Sequence, residues 1–212
     1  MGYQPNLPLP TVLPAITANG VGLKITQVGA LAFQLAGTPF TSLSDIQTKT
    51  VWDALIGATD NTKIVMSPIM SNTKIMEGKV LETGIDSNAT FQGIPEYFGT
   101  GIAKIQGEFH GLDAATIESL RAYTSLSQLN NPGQANLCAY LINEFGQIIC
   151  DTDGSTYWAP IVLRSFGLEN RGTEGHAAND IVKWQAYLDP SWDSNVIAVI
   201  PTFNPLGYVI QL

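Results

Sequence analysis

The densest group of residues that could do chemistry is the segment ENRGTEGHAAND, residues 169–180. It carries Arg171, Glu174, His176 and Asp180 among glycines and small residues. A phosphate loop normally leads into a helix and usually carries a lysine, whereas strand-like stretches flank this segment. A histidine beside a carboxylate can act as a general base, but a histidine in a polar loop is far more often solvated or bonded to backbone. We therefore predict a long loop between two strands that contacts a neighbouring subunit.

Two further groups have the composition of a metal site without its spacing. Glu108 and His110 are two residues apart and so share one strand face. No H-x-H, H-E-x-x-H or two-histidine-one-carboxylate spacing accompanies them, so we expect a polar outward face. Asp151, Asp153 and Gly154 resemble the start of a calcium loop, but the glycine comes too early for that loop. We predict a turn there, no metal and no cofactor.

The remaining nucleophiles do not form a catalytic arrangement. Cys138 and Cys150 flank the centre of a predicted hairpin, so a cross-strand disulfide is geometrically conceivable. In a reducing cytoplasm we expect two small buried residues instead. There is no G-x-S-x-G motif and no cysteine–histidine arrangement typical of a nucleophile. The sequence therefore predicts no catalytic residues and a protein that is not an enzyme.

The composition is that of a weakly charged, acidic protein. Charged residues make up 13% of the chain, about half of the ~25% typical of soluble domains. The net charge is −8, and the ten Lys and Arg are scattered singly along the chain, which argues against nucleic-acid recognition. Surfaces rich in Ser, Thr, Asn and Gln suit repeated protein–protein contact or carbohydrate binding.

The chain has none of the segments that direct a protein to a membrane. It contains no apolar run of about 18 residues, which a membrane helix needs. Its first residues also lack the charged and then apolar regions of a secretion signal, so we expect cytoplasmic synthesis without a membrane partner.

Two segments have the spacing of helices. The first follows a cap at Ser42 or Ser44 and ends near Gly57. Its apolar stripe consists of Ile46, Trp52, Leu55 and Ile56. The second begins at an N-cap on Asp113 and runs to about residue 126. Its stripe consists of Ile117, Leu120, Tyr123 and Leu126.

The rest of the chain has the alternation and turn residues of β-strands. Residues 102–110 alternate polar and apolar side chains, and Asn143–Gly146 form the turn of a hairpin. Residues 84–101 are predicted to be a loop whose aromatic residues Phe91, Tyr97 and Phe98 pack on another surface. The predicted fold is mainly β, an antiparallel β sandwich or barrel with one or two flanking α-helices.

The N-terminal region differs from this pattern. Residues 3–15 contain Pro5, Pro8, Pro10 and Pro14, which favour an extended segment over a helix or a paired strand. We predict an N-terminal arm over residues 1–20, with a disordered tail as the alternative. Residues 21–212 are then predicted to form a single β-sandwich domain.

The order of these elements resembles that of phage major tail tube proteins. The likeness covers roughly residues 60–205, including GKVLETGIDSNATFQGIPEYFGTGIAKIQGEFHGLDAATIESLRAYTS, LCAYLINEFGQIICD and IVLRSFGLENRGTEGHAANDIVKWQAYL. It implies a virion tail subunit made in the host cytoplasm. Such subunits form hexameric rings that stack, with other tail proteins, into a tube. Double-stranded DNA passes through this tube without specific binding.

On this resemblance, the arm and the loops 84–101 and 169–180 are candidates for contact between subunits. Two other functions stay open at this point. Aromatic residues could make the chain a carbohydrate-binding module of a tail tip, which would require Trp158, Trp184 and Trp192 to be exposed in one groove. A small hydrolase would need a pocket that unites a histidine with carboxylates.

Overall fold

The computed structural model describes residues 25, 27–83, 96–127, 137–172, 180–190 and 192–209. The N-terminal arm, Phe91, Glu174 and His176 lie outside these residues. The described part contains strands β1 (Val28–Leu35), β2 (Val65–Met66), β3 (Met70–Met76), β4 (Val80–Thr83), β5 (Glu96–Thr100), β6 (Ala103–His110), β7 (Leu137–Asn143), β8 (Ile148–Thr152), β9 (Trp158–Ala159), β10 (Ile161–Val162), β11 (Arg164–Leu168), β12 (Ile181–Leu188) and β13 (Val196–Val199). Its helices are α1 (Leu43–Gln47), α2 (Lys49–Ile56), α3 (Ala114–Ser127) and a 3-10 turn at Pro205–Tyr208. This mainly-β fold with flanking helices confirms the predicted fold class.

The larger sheet is the centre of the molecule. Its seven strands follow the order β13-β8-β7-β1-β2, with β9 and β10 paired to β8 and β7. Every residue of β7 is buried, and β1 carries buried residues on both of its faces. A strand covered on both faces needs a continuous apolar run, which LCAYLI in β7 provides.

The smaller sheet has four antiparallel strands in the order β11-β12-β6-β3. Buried and half-buried residues alternate along β6, so one face of this sheet meets the core and the other does not. This alternation confirms the prediction for residues 103–110. The register of β12 against β6 is unbroken from Ile181, opposite His110, to Leu188, opposite Ala103.

Two apolar clusters hold the layers together. The first joins the two sheets and one face of α3, and it includes Leu31, Phe109, Phe166 and Trp184. The second covers the opposite face of the seven-stranded sheet with α1, α2 and the C-terminal segment. There Trp52 lies fully buried, with its ring centre 5.6 Å from that of Phe40. The seven-stranded sheet is therefore the middle layer of three.

The first predicted helix is broken, which corrects the expectation of one continuous helix. Ser42 caps α1 as predicted, since its side chain accepts a hydrogen bond from the Asp45 backbone N–H. Thr48 then adopts an extended conformation between α1 and α2. The carbonyl of Gln47 accepts hydrogen bonds from the backbone N–H and the hydroxyl of Thr202, at 3.0 and 2.7 Å. A distant segment thus uses a carbonyl that a continuous helix would need for itself.

The second predicted helix forms with the expected cap. The Asp113 carboxylate accepts a hydrogen bond from the Thr116 backbone N–H at 2.7 Å. Ile117 and Leu120 are buried as predicted, whereas Leu126 is exposed and Ser127 is buried in its place. The Ser127 hydroxyl donates to the carbonyl of Phe166, so α3 ends against strand β11. No helix in the described residues is long and apolar enough to cross a membrane.

Candidate assembly surface

Among the described residues, the two-stranded hairpin β4–β5 carries the largest group of exposed apolar side chains. Glu82 pairs with Tyr97 and Val80 with Thr100, and the hairpin forms its own sheet in the described part of the chain. The exposed fractions are 58% for Val80, 51% for Leu81, 67% for Tyr97 and 67% for Phe98. Monomeric proteins rarely leave apolar residues grouped in this way unless they contact something else.

The base of the hairpin is closed by two glycines. The Gly101 backbone N–H donates to the Lys79 carbonyl at 2.7 Å. At Gly78 a β-carbon would collide with the backbone carbonyl of Gly101, so only glycine fits. In the chain, β4 and β5 are inserted between β3 and β6 of the four-stranded sheet. The contact between Gly78 and Gly101 and the hydrogen bond to Lys79 hold the two ends of this insertion together.

This hairpin revises the prediction for residues 84–101. Residues 96–100 are a strand paired with β4, whereas the sequence indicated a loop. Turn residues flank this five-residue strand, and each of its paired residues has its partner in β4 at least 13 positions earlier in the chain. The local sequence therefore did not indicate a strand. Tyr97 and Phe98 do not pack on the described residues to any large extent, which leaves them available to a partner.

A second exposed apolar site, which the sequence did not indicate, lies on the seven-stranded sheet. Phe145 in the β7–β8 turn is 72% exposed and Ile200 after β13 is 67% exposed. Both line one open groove with Pro201 and Leu206. The turn itself is the predicted one, since Gly146 has a φ of 73° and the Asn143 side chain accepts from the Phe145 backbone N–H.

The segment 169–180 is described only at its ends. Arg171 forms a salt bridge to Asp180 at 3.2 Å and donates to the Leu112 carbonyl at 2.8 Å. Gly172 bridges to Ile181 in antiparallel fashion. Arg171 and Asp180, two of the predicted interface residues, thus bond within their own chain, and Glu174 and His176 lie outside the described residues.

Glu108 and His110 lie on the outer face of the four-stranded sheet, as predicted. His110 Nε2 is 2.5 Å from the Ser71 hydroxyl, and Glu108 accepts a hydrogen bond from the Asn72 amide at 2.6 Å. Asn72 has a φ of 52° at an irregularity between β3 and β6. The Ser71–His110 contact has the elements of a nucleophile and base, but the neighbouring carboxylate is held by Asn72 rather than by the histidine.

The turn at Asp151–Gly154 is built for structure rather than for calcium. The Asp153 carboxylate accepts from the backbone N–H groups of Ser155 and Thr156, at 2.9 and 2.7 Å. The side-chain hydrogen bond from Thr156 and these backbone bonds hold the Asp153 pKa far below its usual range. Gly154 has a φ of 81°, as a tight turn requires. The described residues contain no group of three or more potential metal ligands.

Both cysteines are buried, as predicted. Cys138 lies in β7 and Cys150 in β8. Burial raises the pKa of each thiol to about 12, because the thiolate would lose its hydration. Neither sulfur therefore has the ionised form that reactive cysteines need at neutral pH.

The tryptophans do not form a carbohydrate platform. Trp184 and Trp158 are both buried. Trp192 is half-buried and packs against the cluster between the sheets. Because stacking on a sugar needs exposed ring faces, these three side chains serve the core instead.

No protein-family model matches this chain, and no curated protein matches it. A chain from the tail of an empty gene transfer agent particle, refined with C6 symmetry, is 15% identical with a TM-score of 0.33; the match covers 66% of this protein and 87% of that chain. A chain from the virion of a native gene transfer agent particle is 16% identical with a TM-score of 0.32, covering 64% and 88%. Likeness at this level establishes neither a common fold nor a common function.

Proposed function

We propose that this protein is a structural subunit of a phage-like tail and, more specifically, of the tail tube. Copies join into rings of six, the rings stack, and the stack forms a channel for DNA delivery in the virion. The subunit has no catalytic role, and its partners are further copies of itself and other tail proteins. The observation that carries this proposal is the exposed apolar hairpin β4–β5.

The hairpin suits contact with another copy of the chain because of its residue types. Tyr97 and Phe98 are aromatic, and aromatic residues are enriched at the centres of protein interfaces. With Val80 and Leu81 they present two aromatic and two aliphatic side chains on one hairpin. A heterologous contact, in which the hairpin meets a different surface of the next copy, closes into rings or continues into filaments.

The composition supports the same conclusion. At 13% charged residues, the chain has few ionic side chains that a subunit contact would have to strip of water. The net charge of −8 also limits unspecific adhesion to nucleic acid by the outer surfaces. The predicted contacts of the N-terminal arm and of the loop 169–180, through Glu174 and His176, remain part of the proposal.

Gel filtration followed by negative-stain electron microscopy tests the proposal. Wild-type protein is expected to elute as assemblies and to show rings or tubes. The double variant Tyr97→Ser, Phe98→Ser is expected to elute as a folded monomer, because the substitutions remove most of the exposed aromatic surface of the hairpin.

The matched control is Phe145→Ser, which removes an aromatic side chain of similar exposure from the β7–β8 turn. It should reduce assembly less than the hairpin variant does. Equal loss of assembly in both variants would show that the hairpin has no special role. A wild-type protein that stays monomeric at high concentration would contradict the proposed function itself.

A further inference from the structure

The outer face of the four-stranded sheet has the opposite charge balance to the rest of the protein. Lys104 lies on the outer face of β6, together with Gln106 and Glu108. Strand register places Lys74 opposite Gln106 and Lys183 opposite Glu108, so all three lysines share this face. Glu108 is the only acidic residue in the four strands. Outside the four strands, the chain has six Lys and Arg against seventeen Asp and Glu.

The positive charge of this face is only partly balanced within the described residues, by Glu108 and by Glu169, whose backbone N–H donates to the Lys183 carbonyl just past the end of β11. None of the three lysines forms a salt bridge there, and Lys74 and Lys183 are exposed. Glu108, which lies opposite Lys183, instead accepts a hydrogen bond from Asn72. The nearest arginine in these strands, Arg164, forms a salt bridge with Asp189 and adds no net charge.

The three lysines form one patch. Lys183 lies opposite Glu108, which is four residues from Lys104 on β6. Four residues correspond to about 13 Å along a strand. Lys74 and Lys183 lie on the strands that flank β6, about 10 Å apart across the sheet. The side chains between them, Gln106 and Gln185, are neutral hydrogen-bonding groups.

We propose that this face binds the phosphodiester backbone of double-stranded DNA, weakly and without sequence preference. Lysines interspersed with glutamines match the charge of phosphates, and glutamines can donate hydrogen bonds to them. Single-stranded nucleic acid fits this face less well, because proteins bind it by stacking several aromatic side chains on its bases. In the described strands, Tyr187 is the single aromatic residue on this face.

A second copy of the chain is the competing occupant, and the residue types argue against it. Lysine is depleted at protein interfaces, while aromatic residues are enriched. Among the described residues, the exposed aromatic side chains lie on the hairpin and at Phe145, and none lies within the four strands of this sheet. The choice of DNA over other polyanions rests on the proposed function, in which the subunit encloses DNA.

The test is fluorescence anisotropy with a labelled duplex of about 12 base pairs, titrated between about 20 and about 200 mM NaCl. It uses the unassembled fraction from gel filtration, in which the face is open to solvent. The test variant is Lys74→Gln, Lys104→Gln, Lys183→Gln. The control variant is Lys63→Gln, Lys79→Gln, Arg121→Gln, which makes the same change in net charge at exposed positions off this face.

Wild-type binding is expected to weaken with salt, with a slope of log K against log salt of about −2 to −3. The test variant should bind about tenfold or more weakly at low salt and lose most of this slope. The control variant should stay within about twofold of wild type. Equal weakening in both variants, or no binding by wild type at low salt, would overturn the inference.

Electron microscopy of the same variants separates this inference from the proposed function. If wild type does not assemble but only the test variant loses DNA binding, the lysine face stands and the tube proposal fails. If wild type forms tubes and the two variants bind DNA alike, the tube proposal stands and the inference fails. Loss of assembly by the test variant with unchanged DNA binding would assign the face to a second copy and overturn the inference.

Discussion

Strand β7 and the hairpin β4–β5 are both rich in apolar residues, yet their surroundings are opposite. All seven residues of β7 are buried between two apolar clusters, whereas Val80, Leu81, Tyr97 and Phe98 are each more than half exposed. The same hydrophobic effect acts on both regions. In β7 the apolar side chains are buried within the chain and stabilise the fold, whereas in the hairpin they stay exposed, as the proposed subunit contact requires. Substitutions in the two regions should therefore affect different properties.

The largest effect on folding is expected for Trp52→Ala, in the cluster that covers one face of β7. The indole is fully buried, its Nε1–H donates to the Ile46 carbonyl at 2.8 Å, and its ring lies 5.7 Å from that of Tyr140. Truncation should lower the free energy of unfolding by about 3–5 kcal/mol. Thermal unfolding at matched protein concentration should show a fall in Tm of roughly 6–20 °C. A loss below about 1 kcal/mol would contradict the central role of this cluster.

An intermediate effect is expected for Gly107→Ala, where the two sheets pack together. Gly107 lies opposite Trp184 in the register of β6 and β12. A β-carbon there would lie 2.8 Å from the indole Nε1 of Trp184 and 3.1 Å from the Thr73 hydroxyl. The crowding should lower the free energy of unfolding by about 1–3 kcal/mol, measured by urea unfolding.

Gly167→Ala is the matched control for that substitution. Gly167 belongs to the same sheet and has open space where a β-carbon would stand. The control should change the free energy of unfolding by less than about 0.5 kcal/mol. Equal losses for the two glycines would mean that a general strand effect, rather than the contact with Trp184, sets the result.

The smallest effect on folding is expected for Phe98→Ser in the hairpin. Because the ring is 67% exposed, its removal should change the free energy of unfolding of the monomer by less than about 0.5 kcal/mol. Assembly should weaken nonetheless. A destabilisation as large as that of Gly107→Ala would show that the ring packs within its own chain, and the contrast between β7 and the hairpin would disappear.

Local features of the fold could be predicted from the sequence. The cap at Asp113, the turn at Asn143–Gly146 and the alternation along residues 103–110 follow from side chains close together in the chain. The break at Thr48 could not be predicted, because it depends on Thr202, which lies 155 residues from Gln47. Strand β5 could not be predicted from its own residues, because it needs β4 as a partner and is flanked by turn residues.

The candidate surfaces were predictable only in part. Tyr97 and Phe98 could be singled out as aromatic residues in a polar region, but nothing in their spacing indicated a hairpin with a fixed base. The patch of Lys74, Lys104 and Lys183 was not predictable, since the three residues are scattered along the chain. They meet only through the register of three strands, which depends on long-range pairing.

The most direct test is a cryo-electron microscopy map of the assembled wild-type protein. The proposed function predicts rings in which Tyr97 and Phe98 of every copy are buried against a neighbouring copy. A map in which both side chains of each copy remain in solvent, with subunit contacts made elsewhere, would contradict it.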